Sequence, residues 1–138
     1  MIELTCSLEQ LQDVCHAIAD LLPEGGVVIL RGDLAAGKTT LTQAFAKYLG
    51  LNEAVTSPTF SLQQCYGDRL FHYDIYNQGL DHFLSLGMLE ELEREGYHLI
   101  EWGDESLERL LKTAGIPMIT VVIDKADKNR RTYRIENA

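Results

Sequence analysis

Residues Gly32-Asp33-Leu34-Ala35-Ala36-Gly37-Lys38-Thr39 fit the pattern G-x-x-x-x-G-K-[ST], and no other run constrains the fold as strongly. A chance match in a chain of this length is on the order of one in a few hundred, given ordinary glycine usage. The flanks agree with it. Val27-Val28-Ile29-Leu30 is a continuous apolar run, as expected of a strand covered on both faces. After the motif, Leu41, Ala44, Phe45 and Tyr48-Leu49 recur on one side of a helix over about 38–49, with Gly50 at its end. Strand, glycine loop and helix in that order require an α/β framework. Gly32 and Gly37 allow the backbone to curl so that successive N–H groups point inward at phosphate oxygens. The helix start adds the positive end of its dipole. Lys38 then sets an ammonium against β and γ phosphates, and the Thr39 hydroxyl ligates a bridging Mg²⁺. The expected ligand is a nucleoside triphosphate, ATP with Mg²⁺.

The rest of the chain reads as one domain over 1–138, with no repeat, low-complexity tract or linker. Ser7 and Gln10 have capping-box spacing ahead of an amphipathic helix over 8–22, which Pro23 and Gly25-Gly26 end. Thr59–Tyr66 and Leu70–Tyr76 are β-like runs, with Gly67-Asp68 suited to a tight hairpin turn. Leucines at helical spacing over Asp81–Glu95 predict two short helices broken near Gly87. Tyr97–Ile100 reads as a buried strand, about 104–113 as a helix, and Ile119–Ile123 with Thr132–Ile135 as a closing strand pair. Early alternation of helix and strand followed by hairpins predicts a mixed parallel and antiparallel central sheet flanked by helices.

The formal net charge of -9 argues against a nucleic-acid-binding chain, which neutralises phosphates with a basic surface. RNA contact is therefore expected only within a larger complex, with a partner supplying the positive charge. The one basic cluster, Lys125 to Arg134, reads as a solvated edge strand and turn. Cys6, Cys15 and Cys65 have neither disulfide-framework nor zinc-ligand spacing and read as buried reduced thiols. No apolar stretch is long enough to span a bilayer and no signal peptide is evident, so a cytoplasmic setting is expected.

Hydrolysis needs more than a phosphate cradle. A second group must hold the metal and another must orient water. Acids at the ends of apolar strands open into the binding crevice of an α/β sheet. Asp74 and Glu101 are two such acids, and the residues alone do not say which faces the metal. Thr56-Ser57-Pro58-Thr59 lies where a switch segment senses the γ-phosphate. Trp102, the one tryptophan, reads as core or as a lining of the site. His16, His72, His82 and His98 have no triad or ligand spacing and read as structural.

Taken in order, these segments resemble the TsaE (YjeE) family, small bacterial P-loop ATPases required to make threonylcarbamoyladenosine on tRNA. Gly32 to Thr40 is similar to the family's P-loop, Ser57-Pro58-Thr59-Phe60 to its S-P-T-[FY] segment, and His72-Tyr73-Asp74-Ile75-Tyr76 to its H-x-D-L-Y block. Leu86-Gly87-Met88 and Glu101-Trp102 fall at its L-G and E-W pairs. The resemblance implies an ATPase, slow without partners, that works with a TsaD/TsaB-type complex and does not itself transfer the carbamoyl group. It implies nucleotide contacts from Ser7, Asp33, Leu34, Ala35, Ala36, Gly37, Lys38, Thr39, Thr40, Asp74 and Arg131. Thr39 and Glu101 would hold Mg²⁺, and Lys38 and Asp74 would act in catalysis. Ala35, Asn77 and Gly103 depart from the family's Gly, Arg and Pro. The alternatives are a small-molecule or nucleotide kinase, and a binding module gated by ATP occupancy.

Overall fold

A computed structural model describes residues 2–32, 37–51, 55–56, 63–75, 79–103 and 105–137, with backbone alone at 55–56 and 79–80. Its strands are β1 (Ile2–Cys6), β2 (Gly25–Arg31), β3 (Val55–Thr56), β4 (Gln63–Tyr66), β5 (Leu70–Asp74), β6 (Gly96–Glu101), β7 (Met118–Lys125) and β8 (Arg131–Asn137). The helices are α1 (Leu11–Leu21), α2 (Lys38–Tyr48), α3 (Gly79–Ser85), α4 (Met88–Glu91) and α5 (Glu105–Ala114). All eight strands form one sheet in the order β1-β8-β7-β2-β6-β5-β4-β3. Its centre, β7-β2-β6-β5, is parallel. Antiparallel pairs flank it on both sides. The expected α/β class with a mixed sheet is what the structure has.

The helix spacings translate closely. Leu11, Val14, Cys15 and Ile18 form the buried stripe of α1, as their 3.6-residue recurrence demands. Residues 8–10, expected as its first turn, instead form a 3₁₀ turn, in which the Gln10 N–H bonds the Ser7 carbonyl at 3.1 Å. The Gln10 side-chain oxygen reaches back to accept from the Ser7 N–H at 3.0 Å. Gly87, at φ 76, separates α3 from α4 at the predicted break. The β4–β5 connection is one residue longer than a two-residue hairpin, because Tyr66 pairs with Leu70.

Two strands escaped the sequence reading. β1 has only five residues and is mostly exposed, so its pattern is weak. It exists because β8 pairs with it from Ile2↔Ile135 to Cys6↔Arg131. That pairing makes β8 an interior strand, so the edge strand expected at Lys125–Arg134 is not one. β3 is just two residues long, below any periodicity.

The sheet separates two apolar cores. Val28 and Leu30 of β2 pack with Leu41 and Phe45 of α2 and Ile18 of α1. Val27 and Ile29 face the other way, toward Phe83, Met88 and Leu107 of α3, α4 and α5. All four β2 residues are fully buried, which explains an unbroken apolar run in a strand with period 2. Burying each contributes roughly 1.5–3 kcal/mol. Cys6 and Cys15 are buried, Cys65 is half-buried, and all three are free thiols. Burial pushes the Cys15 thiol up to about 12, which keeps it protonated and inert. Among the described residues no helix is long and apolar enough to cross a membrane.

Candidate nucleotide site

β2 is the central parallel strand, and the chain leaves its carboxyl end through Arg31 and Gly32 before entering α2. Gly37 caps α2 with φ 103 and ψ 28, a left-handed conformation that strains any residue carrying a Cβ. A Cβ at Gly37 would meet nothing within 4 Å, so the backbone angle, not crowding, requires glycine. The Leu41 N–H then bonds the Gly37 carbonyl at 3.0 Å. Residues Asp33, Leu34, Ala35 and Ala36 lie outside the described residues, as do Ser57 to Phe60 and Asn77. Thr39 and Thr40 are exposed on the first turn of α2.

Lys38 is only 3% exposed. Its Nζ donates to the Gly32 carbonyl at 3.0 Å and lies 3.5 Å from the centroid of the Trp102 ring. The ammonium therefore bridges the end of β2 and the start of α2. A buried cation needs such a carbonyl and ring face to offset lost hydration. Trp102, the expected core or lining residue, does both: it packs on the second core and covers the lysine.

Beside the loop, β2, β6 and β5 end in register. Leu30 pairs with Glu101, and Glu101 pairs with Asp74. Register partners share a face, and Leu30 belongs to the core under α2, so both acids rise on the P-loop helix side. Glu101 is 6% exposed and His72, two residues before Asp74, is 7% exposed. His72 Nε2 lies 2.5 Å from Glu101 Oε2. Asp74 is exposed. The structure sets the two expected acids on neighbouring strand ends, and His72, read from sequence as structural, shares a strand face with Asp74.

Trp102 follows at φ 69, the one positive φ among described non-glycine residues. That turn carries the indole from the Glu101 strand end to Lys38. Gly103 is required by packing. A Cβ there would stand 2.9 Å from Leu107 Cδ2 and 3.2 Å from Ile29 Cγ2, so the small residue lets α5 close on β2. Arg31 also ties α5 to the loop strand, 2.9 Å from Glu108 Oε1, which Thr120 contacts at 2.8 Å.

A cavity of about 460 Å³ opens next to the cradle, between the 3₁₀ turn, α2 and the β7–β8 turn. Ser7, Gly37, Thr40 and Arg131, four of the expected nucleotide contacts, line it together with Leu8 and Asn129. The β7–β8 turn is braced: Arg130 Nε bonds Asp127 Oδ2 at 2.7 Å and the Asn129 N–H bonds Asp127 Oδ1 at 2.9 Å. Leu8, Lys128 and Asn129 were not singled out from sequence, although the basic cluster did contain the turn. A larger hollow of about 790 Å³ lies around Glu24, Arg69 and Tyr97, at the opposite ends of the strands and away from the described cradle residues.

The central strand handing its end to a glycine-capped helix, with acids on the neighbouring strand ends, places this chain among α/β proteins of the P-loop type. The family described as threonylcarbamoyl adenosine biosynthesis protein TsaE matches residues 5–133, and the chain belongs to that family, which acts in tRNA threonylcarbamoyladenosine biosynthesis. It is 38% identical over 136 residues to the TsaE protein of Treponema pallidum, covering 92% of this chain and 96% of that one. It is 35% identical over 122 residues to the TsaE protein of Bacillus subtilis, covering 80% and 77%. The crystal structure of Bacillus subtilis YdiB superposes with a TM-score of 0.69 at 27% identity, covering 99% of this chain and 84% of that one.

Proposed function

We propose that the chain binds ATP with Mg²⁺ and hydrolyses it, together with TsaD/TsaB-type partners, to drive the tRNA modification to which its family belongs. The observation that carries this reading is the buried Lys38 ammonium, held at the mouth of a glycine-capped helix next to the Glu101 strand end. Phosphate oxygens are charged acceptors, and a hydrogen bond from an ammonium to such an oxygen is stronger than one between neutral groups. The expected ligands suit the metal: the Thr39 hydroxyl and the Glu101 carboxylate are hard oxygens, which Mg²⁺ prefers. Bound Mg²⁺ supplies charge neutralisation between the β and γ phosphates.

Lys38 binds and neutralises the phosphate chain. Asp74, at the exposed end of β5, orients water and accepts its proton. The cavity beside Ser7, Thr40 and Arg131 has room for the nucleoside, which fixes the direction in which the phosphates enter the cradle. The sequence offers no acceptor-binding region for a kinase, and the setting in this reading is the cytoplasm.

The test is phosphate release from ATP by the purified chain, alone and with TsaD/TsaB-type partners, in Mg²⁺ and in EDTA. Release that needs Mg²⁺ and rises with the partners is expected. No release under any of these conditions would overturn the hydrolase reading. A non-hydrolysable analogue that sustained repeated rounds of tRNA modification would replace it with an occupancy-gated one.

A further inference from the structure

We propose that His72 is a positioning residue, which holds the Glu101 carboxylate in the one orientation that lets it take the metal; this rests on the Mg²⁺-dependent reading above. Three observations carry it. His72 and Glu101 are both more than nine-tenths buried. Their contact, Nε2 to Oε2 at 2.5 Å, joins β5 to β6 across the sheet. Glu101 stands at the last position of β6, where its backbone carbonyl also accepts from the Ile75 N–H at 3.3 Å.

A carboxylate only accepts hydrogen bonds, so the His72 Nε2 carries the proton in this contact whichever charge the ring bears. With Oε2 engaged, Oε1 is the oxygen turned over to the metal; among the described residues it has no hydrogen-bond partner. Without the imidazole, the carboxylate would rotate about its terminal torsion, which is broad and costs little to turn. It would also sit buried with no donor from His72 to fix it in place. Partners that orient metal ligands in this way are worth about 10–100-fold in metal affinity.

His72 also has geometry that only certain residues reproduce. The Nε2 of glutamine stands about as far from the backbone as the Nε2 of histidine, while the amide nitrogen of asparagine is shorter by one bond. His72→Gln should therefore restore the contact, and His72→Asn should not.

The experiment is a calorimetric titration of ADP into the full chain, once with excess Mg²⁺ and once with EDTA. The ratio of the two affinities measures what the metal adds. His72→Leu is expected to leave the EDTA affinity unchanged and to reduce the Mg²⁺ gain about tenfold, with His72→Gln close to wild type. A Mg²⁺ gain that survives in folded His72→Leu overturns the proposal. If His72→Leu does not fold, His72→Gln and His72→Asn decide it: a lost gain in Asn alone supports positioning, and equal gains in both overturn it. A wild-type chain with no Mg²⁺ gain at all would instead overturn the metal-dependent reading on which this rests.

Discussion

His72 and His98 lie on neighbouring strands of one sheet, and they end in opposite kinds of environment. His72 faces α2, touches a carboxylate at a strand end, and sits beside Asp74. His98 faces the other core. Its Nδ1 is 2.8 Å from the Tyr73 hydroxyl and its Nε2 is 2.9 Å from the Arg94 carbonyl. A carbonyl cannot donate, so Nε2 carries the proton and the Tyr73 hydroxyl donates to Nδ1. Tyr73 accepts in turn from Gln63 Nε2 at 3.0 Å, which also reaches Glu91 at 2.9 Å. Every ring nitrogen is satisfied by groups that do no chemistry. Burial holds the Glu91 carboxyl up, yet hydrogen bonds from Gln63 and Arg94 prevail and keep its pKa below the usual range. One histidine thus adjoins the candidate site, and the other is a cross-link between β4, β5, β6 and α4. The difference lies in the partner each meets, which residue type does not reveal.

The sharpest contrast comes from breaking the site side. Lys38→Ala should abolish nucleotide binding while leaving the fold intact, because it removes a buried cation from the cradle; an unchanged ATP affinity by calorimetry would refute this. Asp74→Ala should keep ATP binding and lose about 10²-fold or more in turnover, the usual weight of a group that handles the proton. Normal phosphate release by that variant, with partners present, would sink the assignment.

The network side should answer in stability instead. Tyr73→Phe leaves His98 Nδ1 and Gln63 Nε2 each short of a partner, at a cost of about 1–3 kcal/mol. Urea unfolding should show that loss, and ADP affinity should not change. The smallest effect is one of pH. Burial lowers the His98 pKa from its ordinary 6.5, so the unfolded chain binds the proton more readily than the folded one. Stability is then complete above about 6.5 and declines as pH falls from there toward the folded value. The urea midpoint should drop between pH 7 and 5.5, and His98→Gln, though weaker at neutral pH, should show a flatter dependence.

Much of the fold was legible because its signals are local. The alternation of apolar residues set α1, α2 and the α3–α4 break at Gly87. The length of the apolar run at 27–30 placed β2 between two cores. β1 was not legible, since it is held by a strand 125 to 133 positions away, counting Cys6↔Arg131 and Ile2↔Ile135. The same pairing turned the basic cluster from an expected edge into an interior strand whose turn borders a cavity. Asp74 and Glu101 could be named as strand-end acids, but their common row depends on β5 lying next to β6.

By itself, then, the sequence determined the cradle: its glycines, its lysine and the strand and helix around it follow from torsional freedom, charge and periodicity within about 20 residues. The tertiary structure decided what surrounds that cradle. It set Trp102 against Lys38, joined His72 to Glu101, and brought the chain's two ends to one cavity with Ser7 and Arg131. The physical reason is that these contacts link residues 29 to 124 positions apart, counting His72 to Glu101 and Ser7 to Arg131. Only the order and register of the strands brings such residues to one place.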